Sequence, residues 1–345
     1  MSIQGIWLPL VTPFCDGALD EASLRRIVRH YLGEPVDGFI LAATTGEGLT
    51  IDEVETERLV SVAATEIAGR RPIYLGVSGS DTRKLAKALA HTAPWPIDGY
   101  LIACPYYTRP SQEGLYRHFA ALARATEQPI LIYNIPYRTG VNMANDTLLR
   151  LTALPNIVGV KDCCADQQQS FDLIRTKPQA FSVMTGEDAL FYTALTQGAE
   201  GGILASAHVD TARFASVRNI FMSGDQQGAL RAWRSLADLP RLLFAEPSPA
   251  PIKHWLWRAG LIDSPEVRLP MTQVSEVLAA RIDREIACGP LLLGTIAHGG
   301  DRLRKPKRTS CGLVDSDGTP STGPTDQTAT TDRNKPAIVS PMSPV

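Results

Sequence analysis

The chain has no excess charge of either sign: Lys and Arg total 34 against 36 Asp and Glu in 345 residues, a net charge of −2. With no basic surplus to neutralise a phosphate backbone, a dedicated nucleic-acid binder is argued against. No apolar run approaches the roughly 20 residues that a bilayer-spanning helix needs. The first ten residues lack the cationic start and apolar stretch of a signal peptide. The six cysteines are scattered, and the adjacent pair Cys163–Cys164 suits neither a disulfide framework nor a CxxC metal site. These absences predict a reduced, cytoplasmic protein with no membrane or nucleic-acid partner. The six histidines have neither HxH nor HExxH spacing, so no metal is expected. No GxGxxG follows a candidate strand and no GxxxxGK[ST] occurs, which removes both nucleotide-binding fingerprints of open α/β sheets.

What is present is enough apolar sequence, 44% hydrophobic against 20% charged, to bury a large core. Short β-branched runs alternate with amphipathic stretches. The candidate strands are Gly5–Leu10, Gly38–Ala43, Pro72–Val77, Gly99–Cys104, Ile130–Ile135, Ile157–Asp162, Phe181–Gly186 and Gly202–Ser206. Helical patterns lie between them, several opening on an Asp, Asn or Ser suited to an N-cap: Asp20, Asp52, Asp81, Ser111, Asn145, Asp166, Asp188 and Asp210. Eight such units predict an α/β protein, a (β/α)8 TIM barrel, over residues 1–225. A doubly wound sheet, the rival, normally stops at about five to seven strands. Helical patterns at Gln226–Leu243, Ile252–Ala259 and Thr272–Ala287 predict a C-terminal helical cap over 226–289. The character changes from about Gly289, residues 304–345 are rich in Pro, Ser, Thr, Gly and Asp with almost no apolar periodicity, and a disordered tail is expected over 290–345.

In a TIM barrel the reactive side chains sit at the C-terminal ends of the strands. Lys161 stands out, because it alone of eight lysines falls on a candidate strand. Period-two alternation places Ile157, Gly159 and Lys161 on one face. A lysine at a strand end can simply snorkel to water. Pointing into a barrel mouth it would be desolvated, its pKa would fall, and a neutral amine could attack a carbonyl. Tyr133 ends another strand, where its phenol would suit acid/base work beside an iminium. Thr44 and Thr45, followed by Gly46, offer hydroxyls and free amides to a small carboxylate. Arg138, in a Pro-X-Arg-Thr-Gly turn, has the planar fork for another.

The set Thr44-Thr45-Gly46-Glu47, Tyr106-Tyr107, Tyr133-Asn134-Ile135-Pro136, Arg138-Thr139-Gly140 and Gly159-Val160-Lys161 resembles the dihydrodipicolinate synthase / N-acetylneuraminate lyase family. So do Pro9-Leu10-Val11-Thr12-Pro13-Phe14 and the late Glu246-Pro247-Ser248-Pro249-Ala250-Pro251-Ile252-Lys253. The resemblance implies a Schiff-base enzyme acting on pyruvate or another 2-oxo acid, with no cofactor beyond a covalent imine on lysine. It makes Lys161 the imine-forming lysine and Tyr133 the proton shuttle. Thr44 and Tyr107 complete a hydroxyl relay, Tyr107 reaching across from a neighbouring subunit of a homotetramer. It assigns Thr45 to the pyruvate carboxylate, Gly186 and Ile203 to the pocket lining, and Arg138 to the carboxylate of an aldehyde acceptor. In the synthase branch that acceptor is L-aspartate 4-semialdehyde. A lyase or dehydratase of 2-keto-3-deoxy acids would share the lysine, tyrosines and threonines. Ala43, Tyr137 and Cys163-Cys164 depart from the family pattern near the lysine and the acceptor side. Lysine-sensitive members bind that amino acid in an interface cleft. The matching positions here hold Gly48, Leu49, Glu53, Thr56, Ser80, Lys84 and Tyr106, with Lys84 where a glutamate is usual.

Overall fold

The computed structural model describes residues 3–164 and 166–288. Eight parallel strands close into a barrel: β1 (Gly5–Pro9), β2 (Gly38–Leu41), β3 (Ile73–Val77), β4 (Gly99–Ala103), β5 (Ile130–Asn134), β6 (Ile157–Asp162), β7 (Ser182–Thr185) and β8 (Gly201–Ile203). β1 pairs with both β2 and β8, which closes the ring. The expected TIM barrel is therefore the fold. β3 and β6 end at Val77 and Asp162 as expected, and the other six strands end earlier than their apolar runs, whose last residues turn into the loops. Ala42 takes a left-handed φ of 54° directly after β2. The Ser206 N–H is taken by the Asp188 carboxylate, not by a neighbouring strand.

Alternation sorts the strand side chains. Trp7, Ile40, Leu101, Leu131, Met184 and Ile203 fill the barrel interior, whereas Ile6, Leu8, Phe39, Leu41, Tyr100 and Ile132 pack outward against the helices. One expected phase is wrong. Ile130 pairs with Ile157 but Leu131 with Gly159, a bulge that leaves Val158 unpaired. Ile157 consequently faces the helices, in the outer core, while Gly159 and Lys161 face inward. The extra residue lies N-terminal to the lysine, so the lysine's own phase is kept.

The side chains of Asp20, Asp52, Asp81, Ser111 and Asp166 all accept backbone N–H bonds as N-caps, and Asp52 forms a full capping box with Glu55. Asn145 does not cap; it is the first helical residue, after Ala144. The segment after β7 opens with a short 3₁₀ turn, Asp188–Leu190, before the helix Phe191–Gln197. Past the barrel, the single pattern expected over Gln226–Leu243 is two helices, Gln226–Arg234 and Asp238–Leu243. Pro240 has no N–H to give a continuing helix and sits in the first turn of the second one. Helices Ala250–Arg258 and Glu276–Cys288 follow. Trp233 packs edge-on against Phe191, tying this cap to the barrel. The tail expected at 290–345 lies outside the described residues. Among the described residues no helix is long and apolar enough to cross a membrane.

Candidate active site

The C-terminal mouth of the barrel is built around Lys161, 5% exposed on β6. Its ladder partner is Tyr133 on β5, and the ammonium nitrogen sits 4.2 Å from the centre of the Tyr133 ring. Burial holds the Lys161 amine below its ordinary pKa, with the Arg138 charge pushing the same way and Asp188 and Glu187 opposing. Burial raises the Tyr133 phenol well above 10, and a hydrogen bond to Thr44 acts against that rise. The site thus joins an amine biased toward its neutral form with a phenol that keeps its proton.

Thr44 and Thr45 occupy the turn after β2. Thr44 is exposed to the mouth and Thr45 is buried. The turn is closed by Glu47 N–H to Thr44 O (3.1 Å) and by Gly48 N–H to Ala43 O (3.2 Å). Glycine is required at 48, where a Cβ would lie 1.8 Å from the Ala42 carbonyl oxygen. Gly186, after β7, is needed for a different reason. A Cβ there would stand 2.4 Å from both Lys161 Cε and Cys163 Sγ, so the missing side chain is the space that the lysine uses. Ile203 closes the floor, fully buried at the end of β8.

Arg138 lies on the short helix Pro136–Thr139 after β5, which replaces the expected turn. It is exposed, with its guanidinium 5.9 Å from the centre of the Tyr137 ring. Tyr107 stands apart from the other candidates. It is 92% exposed, with a left-handed φ of 69° and its N–H bonded to Thr139 O. Thr44, Tyr133, Lys161, Arg138 and Gly186 are thus brought together at the strand ends, Thr45 and Ile203 are buried at neighbouring ends, and Tyr107 is exposed to solvent.

Some charged groups here were visible in the sequence only as parts of motifs, without a role. Glu187 follows Gly186, and burial pushes its carboxyl up while the Tyr137 phenol lies against it. Asp188 is buried and pushed up to about 6 by desolvation; its Oδ1 has no hydrogen-bond partner. Glu47 and Lys253 form a buried ion pair beneath the Thr44–Thr45 turn. Carboxylates inside otherwise apolar strand-end motifs, and a lysine inside Pro-Ile-Lys-His-Trp, were the available signal. Among the described residues no three His, Cys, Asp or Glu side chains gather as a metal site.

The model of the dihydrodipicolinate synthetase family matches residues 2–287. The chain belongs to the dihydrodipicolinate synthetase family. One relative within it is 4-hydroxy-tetrahydrodipicolinate synthase 2 of Clostridium acetobutylicum, 44% identical over 286 residues, which are 82% of this chain and 99% of the relative. Among solved structures, dihydrodipicolinate synthase from Thermotoga maritima aligns with a TM-score of 0.81 at 32% identity, covering 83% of this chain and 98% of that one. A structure described as the first monomeric dihydrodipicolinate synthase variant aligns with a TM-score of 0.80 at 32% identity, covering 82% and 96%. Membership in the family thus extends over the barrel and its helical cap.

Proposed function

We propose that this chain condenses pyruvate with L-aspartate 4-semialdehyde to 4-hydroxy-tetrahydrodipicolinate through an imine on Lys161. The observation that carries the proposal is the pairing of Lys161, buried and biased toward its neutral form, with the Tyr133 ring across the β5–β6 ladder. The amine attacks C2 of pyruvate, and loss of water leaves the imine. Tyr133, linked to Thr44, supplies and removes the protons. Thr44 and Thr45 hold the pyruvate carboxylate. Removing a proton from C3 gives an enamine, which adds to the aldehyde carbon of the second substrate. The acceptor's amino group then attacks the imine carbon and closes the ring, and the Lys161 amine leaves free. The one water lost balances the reaction. Arg138 receives the acceptor's carboxylate, and Gly186 and Ile203 shape the pocket.

Tyr107 completes the hydroxyl relay from a neighbouring copy in a homotetramer. Its 92% exposure in the single chain supports this reading, because a phenol already serving its own mouth would be covered. The experiment is turnover with pyruvate plus L-aspartate 4-semialdehyde, beside a panel of 2-keto-3-deoxy sugar acids, with products identified by mass. Formation of the cyclic product is expected. Cleavage or dehydration of a keto-deoxy acid without it would move the chain to the sugar-acid branch, where the unusual Tyr137 would shape the acceptor side.

A further inference from the structure

Glu47 and Lys253 are the most deeply withdrawn ion pair among the described residues, with side chains 1% and 0% exposed. We propose that this pair is a positioning device, fixing the Thr44–Thr45 turn so that it accepts the carboxylate of a 2-oxo acid. The inference rests on the function proposed above and makes the helical cap a working part of the pyruvate site.

Every polar atom of the pair is used. One Glu47 oxygen takes Lys253 Nζ, and the other accepts the Arg268 N–H at 2.9 Å. Lys253 Nζ also donates to Glu266 O at 2.7 Å and sits 4.2 Å from the centre of the Phe14 ring. The Arg268 guanidinium lies 4.1 Å from that same ring and donates to Thr50 O at 2.9 Å. The turn is also held from the β1 side, where Thr12 Oγ1 donates to Gly46 O at 2.7 Å. Three distant parts of the chain therefore converge on the Gly46–Glu47 step, Lys253 and Arg268 on Glu47 and Thr12 on Gly46, directly after Thr44 and Thr45.

Stability does not require this arrangement. Withdrawing two charges from water offsets much of their attraction, and an apolar pair of similar volume often does as well. What a fully bonded pair provides is a fixed geometry. Glu47 needs one, because it holds a left-handed φ of 55°, which a non-glycine residue keeps only where its surroundings impose it. The acceptor side is separate. Arg138 belongs to the loop after β5, which none of these bonds reaches.

The test uses the full chain carrying Glu47→Gln and Lys253→Met together, so that neither charge is left buried alone. Wild type is first assayed for a borohydride-trapped pyruvate adduct; absence of the adduct would overturn the proposed function and not merely this device. Given the adduct, the double variant is expected to fold with a thermal midpoint near that of wild type. Its KM for pyruvate should rise about tenfold, with the KM of the aldehyde acceptor within twofold. An unchanged pyruvate KM, or an equal rise in both, would overturn the proposal. If the double variant does not fold, Glu47→Gln alone, which keeps the shape and weakens the pairing, is held to the same two KM criteria.

Discussion

Lys161 Nζ lies 4.2 Å from the centre of the Tyr133 ring, and the two residues are direct partners in the β5–β6 ladder. Strand register, not a flexible loop, sets that distance, so an amine and a phenol ring arrive together once the barrel closes. Tyr133→Phe keeps the ring against the lysine and removes only the phenol oxygen. The variant is expected to form the pyruvate imine while turnover falls by about 10²–10⁴, the usual loss for a removed acid/base. Steady-state kinetics beside adduct mass would show it; wild-type turnover would remove Tyr133 from proton transfer.

Gly186→Ala tests the space around the lysine. Its new methyl would meet Lys161 Cε and Cys163 Sγ at 2.4 Å. Pushing the lysine aside should destabilise the chain by about 1–3 kcal/mol and slow imine formation by roughly 10–10²-fold. Trapping rates in the variant, measured on folded protein, check this. An unchanged rate would mean that the lysine can work from a displaced position.

The barrel was legible because burial on both strand faces leaves a repeated apolar run, and because Asp and Ser caps punctuate it. Lys161 was legible because it is the one lysine of eight on a candidate strand, in a phase that turns it toward the barrel mouth among neighbouring strand ends rich in Tyr and Thr. The bulge at Val158 was not, since one unpaired residue among Ile, Val and Gly leaves no mark in the pattern. Nor was the role of Glu47 and Lys253, which lie about 200 residues apart in a pairing set by tertiary packing alone. The break between Arg234 and Asp238 could have been read from Pro240, whose position inside an apolar pattern argues for a new helix start.

L-Lysine at millimolar concentration is expected neither to inhibit this enzyme nor to raise its thermal midpoint. The positions that match the family's lysine cleft include Lys84, an exposed cation where a carboxylate would attract an ammonium group. The nearby Glu53 carboxylate is already taken by His91 Nε2 at 2.6 Å. The Ser80 hydroxyl is taken up by Tyr106 O. Clear inhibition by millimolar lysine in the turnover assay would contradict this reading of the cleft.

Acid should weaken the fold through two histidines. Burial lowers His118 and His208 from 6.5 to about 4. Between those values the unfolded chain binds more protons than the folded one, so stability falls as the pH falls. Each contributes a loss of about 2 kcal/mol by pH 5. Asp188, raised by burial to about 6, works in the opposite direction below that pH, as do the Glu187, Asp162 and Asp210 carboxyls that burial also raises. Burial lowers His30 in the same sense as the two histidines. The two histidines should therefore make the thermal midpoint lower at pH 5 than at pH 7. The drop should shrink in His118→Gln, which removes a ring whose Nε2 has no partner. An equal drop in the variant would place the acid sensitivity elsewhere.

The most direct measurement of the central claim is the intact mass of the chain after incubation with pyruvate and borohydride, followed by peptide mapping. The account predicts one reduced pyruvate adduct per chain, located on Lys161, and none in a folded Lys161→Ala variant. An adduct on a different lysine, or one that persists in Lys161→Ala, would contradict it.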